Sequence, residues 1–182
     1  MNDAYAYPYK EAERLYKQFS ETEAHVSPMA LAKLLGVPVW LCSMGRLKGF
    51  YVVVNGLPYI AVNPDMSRQL IDAVCAHELG HHILHRELAE SRLLSDYGLY
   101  LKSSRLETEA NVFACCLLIP DSRLSGLLAT PDVQDPPDLP AQTISDLAAR
   151  AGVPYELMAL RLHIAGFPAE VPPSAFLAGP LQ

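Results

Sequence analysis

The segment from Ser67 to His85 constrains the fold most, because its apolar residues recur at helical spacing around a run of histidines. These apolar residues are Leu70, Ile71, Val74, Cys75 and Leu79, and they share one face of a helix with 3.6 residues per turn. The same segment contains the stretch AHELGHHILH, residues 76–85. Four histidines and one glutamate are therefore expected on one helix, and the glycine within the stretch allows close packing of a neighbour.

Two of these histidines have the spacing of metal ligands. His77 and His81 differ by about 40° in azimuth and by about 6 Å along the helix axis, so both imidazoles can reach one ion. Glu78 lies about 100° from His77, near enough to take a proton from an attacking water without binding the metal. This H-E-x-x-H arrangement predicts a zinc site with His77 and His81 as ligands and Glu78 as the general base.

The other two histidines do not fit the same ion. His82 lies about 140° from His77, and His85 lies about 12 Å along the axis from it. We interpret both as exposed or capping histidines near a helix C-terminus, where the helix dipole favours positive charge. Leu84 and Glu87 occupy the positions where a metzincin has its glycine and its third histidine, so the sequence does not belong to that class.

A catalytic zinc site needs a third protein ligand and one open position. The buried helix predicted over residues 106–118 offers Glu107 and Glu109, which are about 200° apart, so only one of them can face the metal. Asn111 shares the face of Glu107 and could accept a hydrogen bond from a ligand imidazole. We therefore predict Glu107 as the third ligand, Asn111 as its supporting residue, and Glu109 off that face.

The rest of the chain predicts helices around a small sheet. Residues 8–19 read as an amphipathic helix that begins at Pro8, and Ser27-Pro28 opens the short helix MALAKLL. The runs FYVVV and LPYIAV flank Asn55-Gly56, the strongest short signal for a β-hairpin, and VPVWLCS is a further candidate strand. The expected fold class is α+β, with a small, mainly antiparallel sheet, an active-site helix and flanking helices.

Five segments are expected along this single-domain chain. They are an N-terminal helix (1–26), a core (27–130), a Pro/Asp-rich exposed loop (131–142), a helical segment that resembles a helix-turn-helix (143–167) and a partly disordered Pro-rich tail (168–182).

The composition indicates the cellular compartment of the protein and argues against one class of partner. The formal net charge of −6 argues against broad nucleic-acid binding, which normally needs a basic face. No apolar run approaches the roughly 18–20 residues of a membrane helix, and the N-terminus lacks the apolar region of a signal peptide. The four cysteines show no CxxC spacing and are expected to be small buried residues. A reduced, cytoplasmic protein is therefore expected.

Two stretches together resemble the ImmA/IrrE metallopeptidase family. They are VNPDMSRQLIDAVCAHELGHHILH and ETEANVFACCLLIP. The family's pattern is an asparagine-containing turn, a helix with HELGH and a later Leu-His, and then E-x-x-A-N-x-F-A-x-x-L-L-x-P. Glu107-Thr108-Glu109-Ala110-Asn111 fits its E-x-E-A-N form. The resemblance covers about residues 27–165 and includes the helical ending ISDLAARAGVPYELMALRLHIAG.

The resemblance implies a minimal zincin fold with a gluzincin-type site. His77, His81 and Glu107 would hold Zn²⁺, with Mn²⁺ as an alternative ion for activity, and Glu78 would be the catalytic base. It also implies an intracellular endopeptidase of narrow specificity. Its substrate would be a helix-turn-helix repressor, and cleavage would relieve repression in a stress response, a mobile element or a prophage.

Several residues could stabilise the oxyanion that peptide cleavage generates. Tyr97 and Tyr100, in the connection after the histidine-rich helix, are candidates, and Tyr51 and Tyr59 in the hairpin are alternatives. The spacing does not choose among them.

Two other kinds of function compete with proteolysis. TISDLAARAGVPYELMALRL has the rhythm of a DNA-binding helix-turn-helix, but its second helix offers only Arg161 and His163 as basic residues and starts near Glu156. Direct nucleic-acid binding is therefore not favoured. The other alternative is a metal-bound but catalytically idle regulator, such as a toxin–antitoxin partner. The intact Glu78 argues against idleness, because a purely structural metal site does not need that carboxylate.

Overall fold

The computed structural model describes residues 3–20, 27–92, 104–129, 139–170 and 177. These ranges contain helices α1 (Asp3–Ser20), α2 (Pro28–Leu34), α3 (Arg68–Arg92), α4 (Ser104–Leu118), α5 (Asp121–Leu128), α6 (Ala141–Ala151) and α7 (Tyr155–Ile164). They also contain strands β1 (Val39–Leu41), β2 (Gly49–Val54) and β3 (Leu57–Val62). The predicted α+β class is confirmed.

The three strands form a small mixed sheet in the order β1-β3-β2. Strands β2 and β3 pair antiparallel, with Gly49 opposite Val62, whereas β1 runs parallel to β3. Asn55 and Gly56 connect β2 to β3 with φ angles of 52° and 77°. Positive φ at both positions is what a two-residue type I′ hairpin requires. The hairpin predicted from these two residues is therefore confirmed.

Helix α3 lies between the sheet and α4, and α1 and α7 also pack on α4. The middle of α4 is consequently buried on nearly all sides, and every residue from Ala110 to Leu118 is buried. The apolar run in this helix offers the surface for such packing, because each direction around it carries an apolar side chain. The two helices at the centre of the fold are thus the ones that bear the predicted metal ligands.

The N-terminal helix begins earlier than the sequence predicts. Helix α1 starts at Asp3, so Pro8 lies inside it instead of opening it. Proline has no N–H, and α1 therefore lacks one backbone hydrogen bond near its start. The burial of Ala12 and Leu15 against the core stabilises the helix beyond that point.

Other differences lie at the ends of predicted elements. Helix α5 was not predicted, and α6 begins at Ala141, inside the segment expected to be an exposed loop. Leu177, in the tail expected to be partly disordered, is fully buried in the core. Cys75, Cys115 and Cys116 are buried as expected, but Cys42 is exposed because it follows an exposed strand end. The division of the chain into five segments stays a prediction.

No single helix within the described ranges is long and apolar enough to cross a membrane. The bent pair Arg105–Leu118 and Asp121–Leu128 reaches that length and composition only when both helices, which meet at 65°, are counted together.

Candidate metal centre and active site

Helices α3 and α4 bring His77, His81 and Glu107 together. The Nε2 atoms of the two imidazoles are 3.2 Å apart. The Glu107 carboxylate lies 3.2 Å from Nε2 of His77 and 3.6 Å from Nε2 of His81. The one-turn spacing on α3 stacks the imidazoles, and the first turn of α4 places the carboxylate beside them. Among the described residues, this is the one group of three that could hold a metal ion.

Glu78, the predicted base, is buried between α3 and the sheet. Its side chain is 2% exposed, and its Oε2 atom has no hydrogen-bond partner among the described residues. The backbone N–H of Tyr51 in β2 donates to this carboxylate. Gly49 lets the strand come close, because a Cβ atom there would lie 2.5 Å from Val74 Cγ1 and 3.4 Å from Glu78 Oε1. The edge strand β2 thus lies directly beside the predicted base.

Asn111 is buried four residues after Glu107 on the same helix. Both ring nitrogens of His81 face other histidines, and Nδ1 of His77 has no hydrogen-bond partner among the described residues. Oδ1 of Asn111 has no hydrogen-bond partner among the described residues either, so it does not accept the predicted hydrogen bond from a ligand imidazole. Its supporting role beside a metal ligand stays a prediction.

The interpretation of His82 as an exposed or capping histidine is wrong. His82 is 9% exposed, and its Nδ1 lies 3.0 Å from the hydroxyl of Tyr51. The two rings also meet edge to face. The reason is that α3 continues to Arg92, so His82 lies in the middle of a helix packed on β2.

The same interpretation is wrong for His85, which is 5% exposed. Its Nδ1 lies 3.0 Å from Nδ1 of His81, and its Nε2 lies 2.9 Å from a carboxylate oxygen of Glu109. Glu109 also accepts a hydrogen bond from Arg105 at 2.8 Å. Glu109 is indeed turned away from the metal triad, but it contacts a different histidine of α3. The spacing of four residues between His81 and His85 is the sequence signal for the contact between these two imidazoles.

The tyrosines proposed for the oxyanion divide into two groups. Tyr97 and Tyr100 lie outside the described residues. The hydroxyl of Tyr51 is engaged by His82, and Tyr59 packs against the ring of the exposed Trp40 at a centroid distance of 4.8 Å. These contacts do not direct the hydroxyl of either hairpin tyrosine towards His77, His81 and Glu107.

Similarity to known proteins identifies the family of this chain. The peptidase M78 family, described as the IrrE N-terminal-like domain, matches residues 32–163. The chain belongs to this family. The chain is also 30% identical over 150 residues to "Uncharacterized immunity region protein 2" of Bacillus phage phi105. The matched region covers 82% of this chain and 85% of the phage protein.

The IrrE N-terminal-like family is a metallopeptidase family, and the triad of this member fits a metal ion. The candidate ligand atoms of His77, His81 and Glu107 all lie within 4.8 Å of one another. Two imidazole nitrogens at 3.2 Å can share only one proton, whereas a cation next to the carboxylate would bind the lone pairs of all three groups. Two nitrogen ligands and one oxygen ligand also leave a fourth position open.

The charge of Glu107 in this IrrE-type site follows from the same contacts. Burial alone would raise the pKa of its carboxyl group, but the imidazoles of His77 and His81 outweigh burial and hold the pKa at about 2. The carboxylate is therefore ionised at neutral pH, as a metal ligand must be.

The surroundings of Glu78 shift its pKa upwards, in the direction opposite to the shift of Glu107. Burial raises its pKa most, and the nearby Glu107 carboxylate also raises it, whereas His81 and the backbone N–H of Tyr51 lower it. The net pKa is about 7. Two carboxyl groups in one site thus have strongly different proton affinities. Such a pair is typical of catalytic sites, where one carboxylate stays charged and the other exchanges a proton near neutral pH.

Proposed function

We propose that this protein is a zinc-dependent endopeptidase in which His77, His81 and Glu107 hold the metal and Glu78 is the general base. The observation that carries the proposal is the convergence of three candidate ligand atoms beside a buried carboxyl group of raised pKa. Two imidazoles and one carboxylate with an open fourth position are a catalytic zinc donor set. Mn²⁺ is the alternative ion, because carboxylate oxygen suits it.

The chemistry divides between the ion and the side chains. A bound zinc ion supplies Lewis acidity, which polarises the peptide carbonyl and lowers the pKa of water to about 7. Glu78 takes the proton from the attacking water and delivers it to the leaving amine. Its raised pKa suits both steps, since a base with a pKa near the working pH accepts and returns a proton at similar cost. Tyr97 and Tyr100 remain proposed donors to the oxyanion.

The substrate is proposed to bind along β2. This strand pairs with β3 on one side only, and its Tyr51 N–H reaches Glu78 from the other side. An extended peptide that adds to this edge would place its backbone beside the base, and main-chain hydrogen bonds would supply affinity.

We propose a helix-turn-helix repressor as the substrate, in the cytoplasm, with cleavage relieving repression in a prophage, a mobile element or a stress response. The relative named for a phage immunity region supports a role in repressor control. The family membership supports a protease of this kind.

DNA binding through α6 and α7 is not favoured by the packing of α7. Arg161, the arginine of that helix, is 1% exposed and donates to the Ile119 carbonyl at 2.7 Å and to the Asp121 carboxylate at 2.5 Å. A side chain held in this way cannot also contact phosphate. Most of α7 is buried with it.

The decisive experiment incubates the purified protein, loaded with Zn²⁺ or Mn²⁺, with purified helix-turn-helix repressors, beginning with any that the neighbouring genes encode. The parent is expected to produce defined fragments, whereas Glu78→Gln should bind zinc and produce none. Glu87→Gln is the matched control, because it makes the same change at an exposed position of the same helix. Cleavage by Glu78→Gln at the parent's rate would refute the mechanism. An uncut repressor that binds the zinc-loaded parent would favour the idle regulator instead.

A further inference from the structure

A chain of hydrogen bonds runs from the surface of α4 to the metal triad. Arg105 donates to Glu109 at 2.8 Å, Glu109 contacts Nε2 of His85 at 2.9 Å, and Nδ1 of His85 lies 3.0 Å from Nδ1 of His81. We call these four residues the histidine chain. It begins at an exposed arginine, and its inner members, His85 and His81, are largely buried.

The order of protons along the histidine chain follows from the chemistry of its members. An ionised carboxylate can only accept, so Nε2 of a neutral His85 must carry the proton that faces Glu109. Nδ1 of His85 then has a lone pair and can only accept. Nδ1 of His81 must therefore donate, which leaves the lone pair of His81 on Nε2. That atom is the one that faces His77 and Glu107.

We propose that His85 and Glu109 are positioning residues that hold the His81 ring, with Nε2 unprotonated, ready to bind the metal. This inference rests on the proposed function only in taking His81 as a ligand. A ligating imidazole commonly donates its other N–H to an acceptor that fixes its tautomer and increases its basicity. Here the immediate acceptor is a second imidazole, and the carboxylate stands one step further out.

The two histidine ligands differ in this respect. Nδ1 of His77 has no hydrogen-bond partner among the described residues, whereas Nδ1 of His81 has His85. A side chain therefore fixes the Nδ1 side of the His81 ring, and among the described residues none does so for the His77 ring. Loss of the histidine chain should therefore act first on the His81 ring, and it should reach His77 only through the contact between the two Nε2 atoms.

The test measures zinc itself, with no substrate present. Competition of the protein with a chromophoric chelator gives the zinc dissociation constant, and ¹⁵N NMR of the imidazoles gives the tautomer of each histidine. We expect His85→Phe, which keeps a ring of similar size, to raise the dissociation constant about 10–100-fold. We also expect the ¹⁵N signals of His81 in the metal-free protein to change from the single tautomer of the parent to a mixture. Glu87→Gln should match the parent in both measurements.

A second variant covers the case in which His85→Phe does not fold. Glu109→Gln keeps the size of the side chain but removes the charge that orders the protons, and it should weaken zinc binding several-fold with the same change in the His81 signals. Parent-like affinity and parent-like His81 signals in the folded variant would overturn the proposal. Failure of the parent to bind zinc would overturn both this inference and the proposed function. Tight zinc binding without any cleavage would refute the peptidase proposal alone.

Discussion

Gly80 of α3 lies so close to Ala110 of α4 that a Cβ atom on Gly80 would stand 3.2 Å from the Ala110 Cα. The same added Cβ atom would lie 3.1 Å from Cδ1 of the Phe113 ring. Between the two candidate histidine ligands on α3, therefore, a missing side chain sets the distance between the helices. The same approach carries Glu107, at the start of α4, to the imidazoles.

Gly80→Ala should consequently destabilise the protein and weaken zinc binding, although alanine favours a helix by about 1 kcal/mol over glycine. Two of the three nearest atoms are the Cα and the carbonyl oxygen of Ala110, which cannot yield without moving α4, and the third belongs to the buried Phe113 ring. Urea unfolding and a zinc competition titration measure the two effects.

The matched control is Gly126→Ala in α5, where an added Cβ meets nothing within 4 Å. That change should raise the free energy of unfolding by about 0.5–1 kcal/mol. If Gly80→Ala gives the same gain with unchanged zinc affinity, the close approach of α3 and α4 does not shape the site.

Glu107 should make the metal-free protein sensitive to acid. Its pKa is held at about 2, below the ordinary 4.5, so the unfolded chain binds this proton more tightly than the folded protein does. The stability that Glu107 contributes is complete above the ordinary pKa and is lost as the pH falls from about 4.5 towards 2. Urea unfolding in the presence of a chelator should show a steeper acid loss for the parent than for Glu107→Gln. Parallel pH profiles for the two proteins would contradict this assignment.

Glu78 should have the opposite effect on the metal-free protein. Its pKa is raised to about 7, so the folded state favours the protonated form, and stability is lost as the pH rises from about 4.5 through 7. Glu78→Gln should therefore be more stable than the parent at pH 8, by about 3 kcal/mol at most, since one pKa unit corresponds to about 1.4 kcal/mol. The advantage should shrink towards pH 4.5. A variant less stable than the parent at pH 8 would show that the burial of this carboxylate is not costly.

Tyr51→Phe separates a structural tyrosine from a catalytic one. Its hydroxyl lies 3.0 Å from Nδ1 of His82, and its removal should lower the free energy of unfolding by about 1 kcal/mol, the typical net value of a hydrogen bond. Zinc affinity and cleavage should change little. A loss of about 10²–10³ in kcat, the cost of removing an oxyanion donor, would instead make Tyr51 that donor.

Features that depend on residues close together in the chain could be predicted from the sequence. Helical spacing alone aligned His77 and His81, and Asn55-Gly56 alone specified the hairpin. Glu107 was predicted from its helix face, and the structure brings it to the imidazoles. The alignment of His77 with His81 and the hairpin depend on periodicity or on backbone angles within a few residues. The approach of Glu107 also depends on the packing of α4 on α3, and the ligand roles of these three residues stay predictions.

The surroundings of His82 and His85 were not predictable in this way. Their burial depends on where α3 ends and on what packs against it, and no glycine or proline after His85 marks an end before Arg92. The contact between His85 and Glu109 joins residues 24 positions apart on different helices. Such contacts depend on tertiary packing, which helical periodicity does not encode.

The placement of the candidate ligands on both α3 and α4 has a consequence for the life of the protein in the cell. An ion bound by His81 and Glu107 would tie together two points of the chain that are far apart in sequence, and binding energy available only to the folded state adds to its stability. Metal-starved molecules would unfold more often and be degraded sooner. The supply of zinc would then set how many copies of the proposed protease survive, as well as how many of those copies are active.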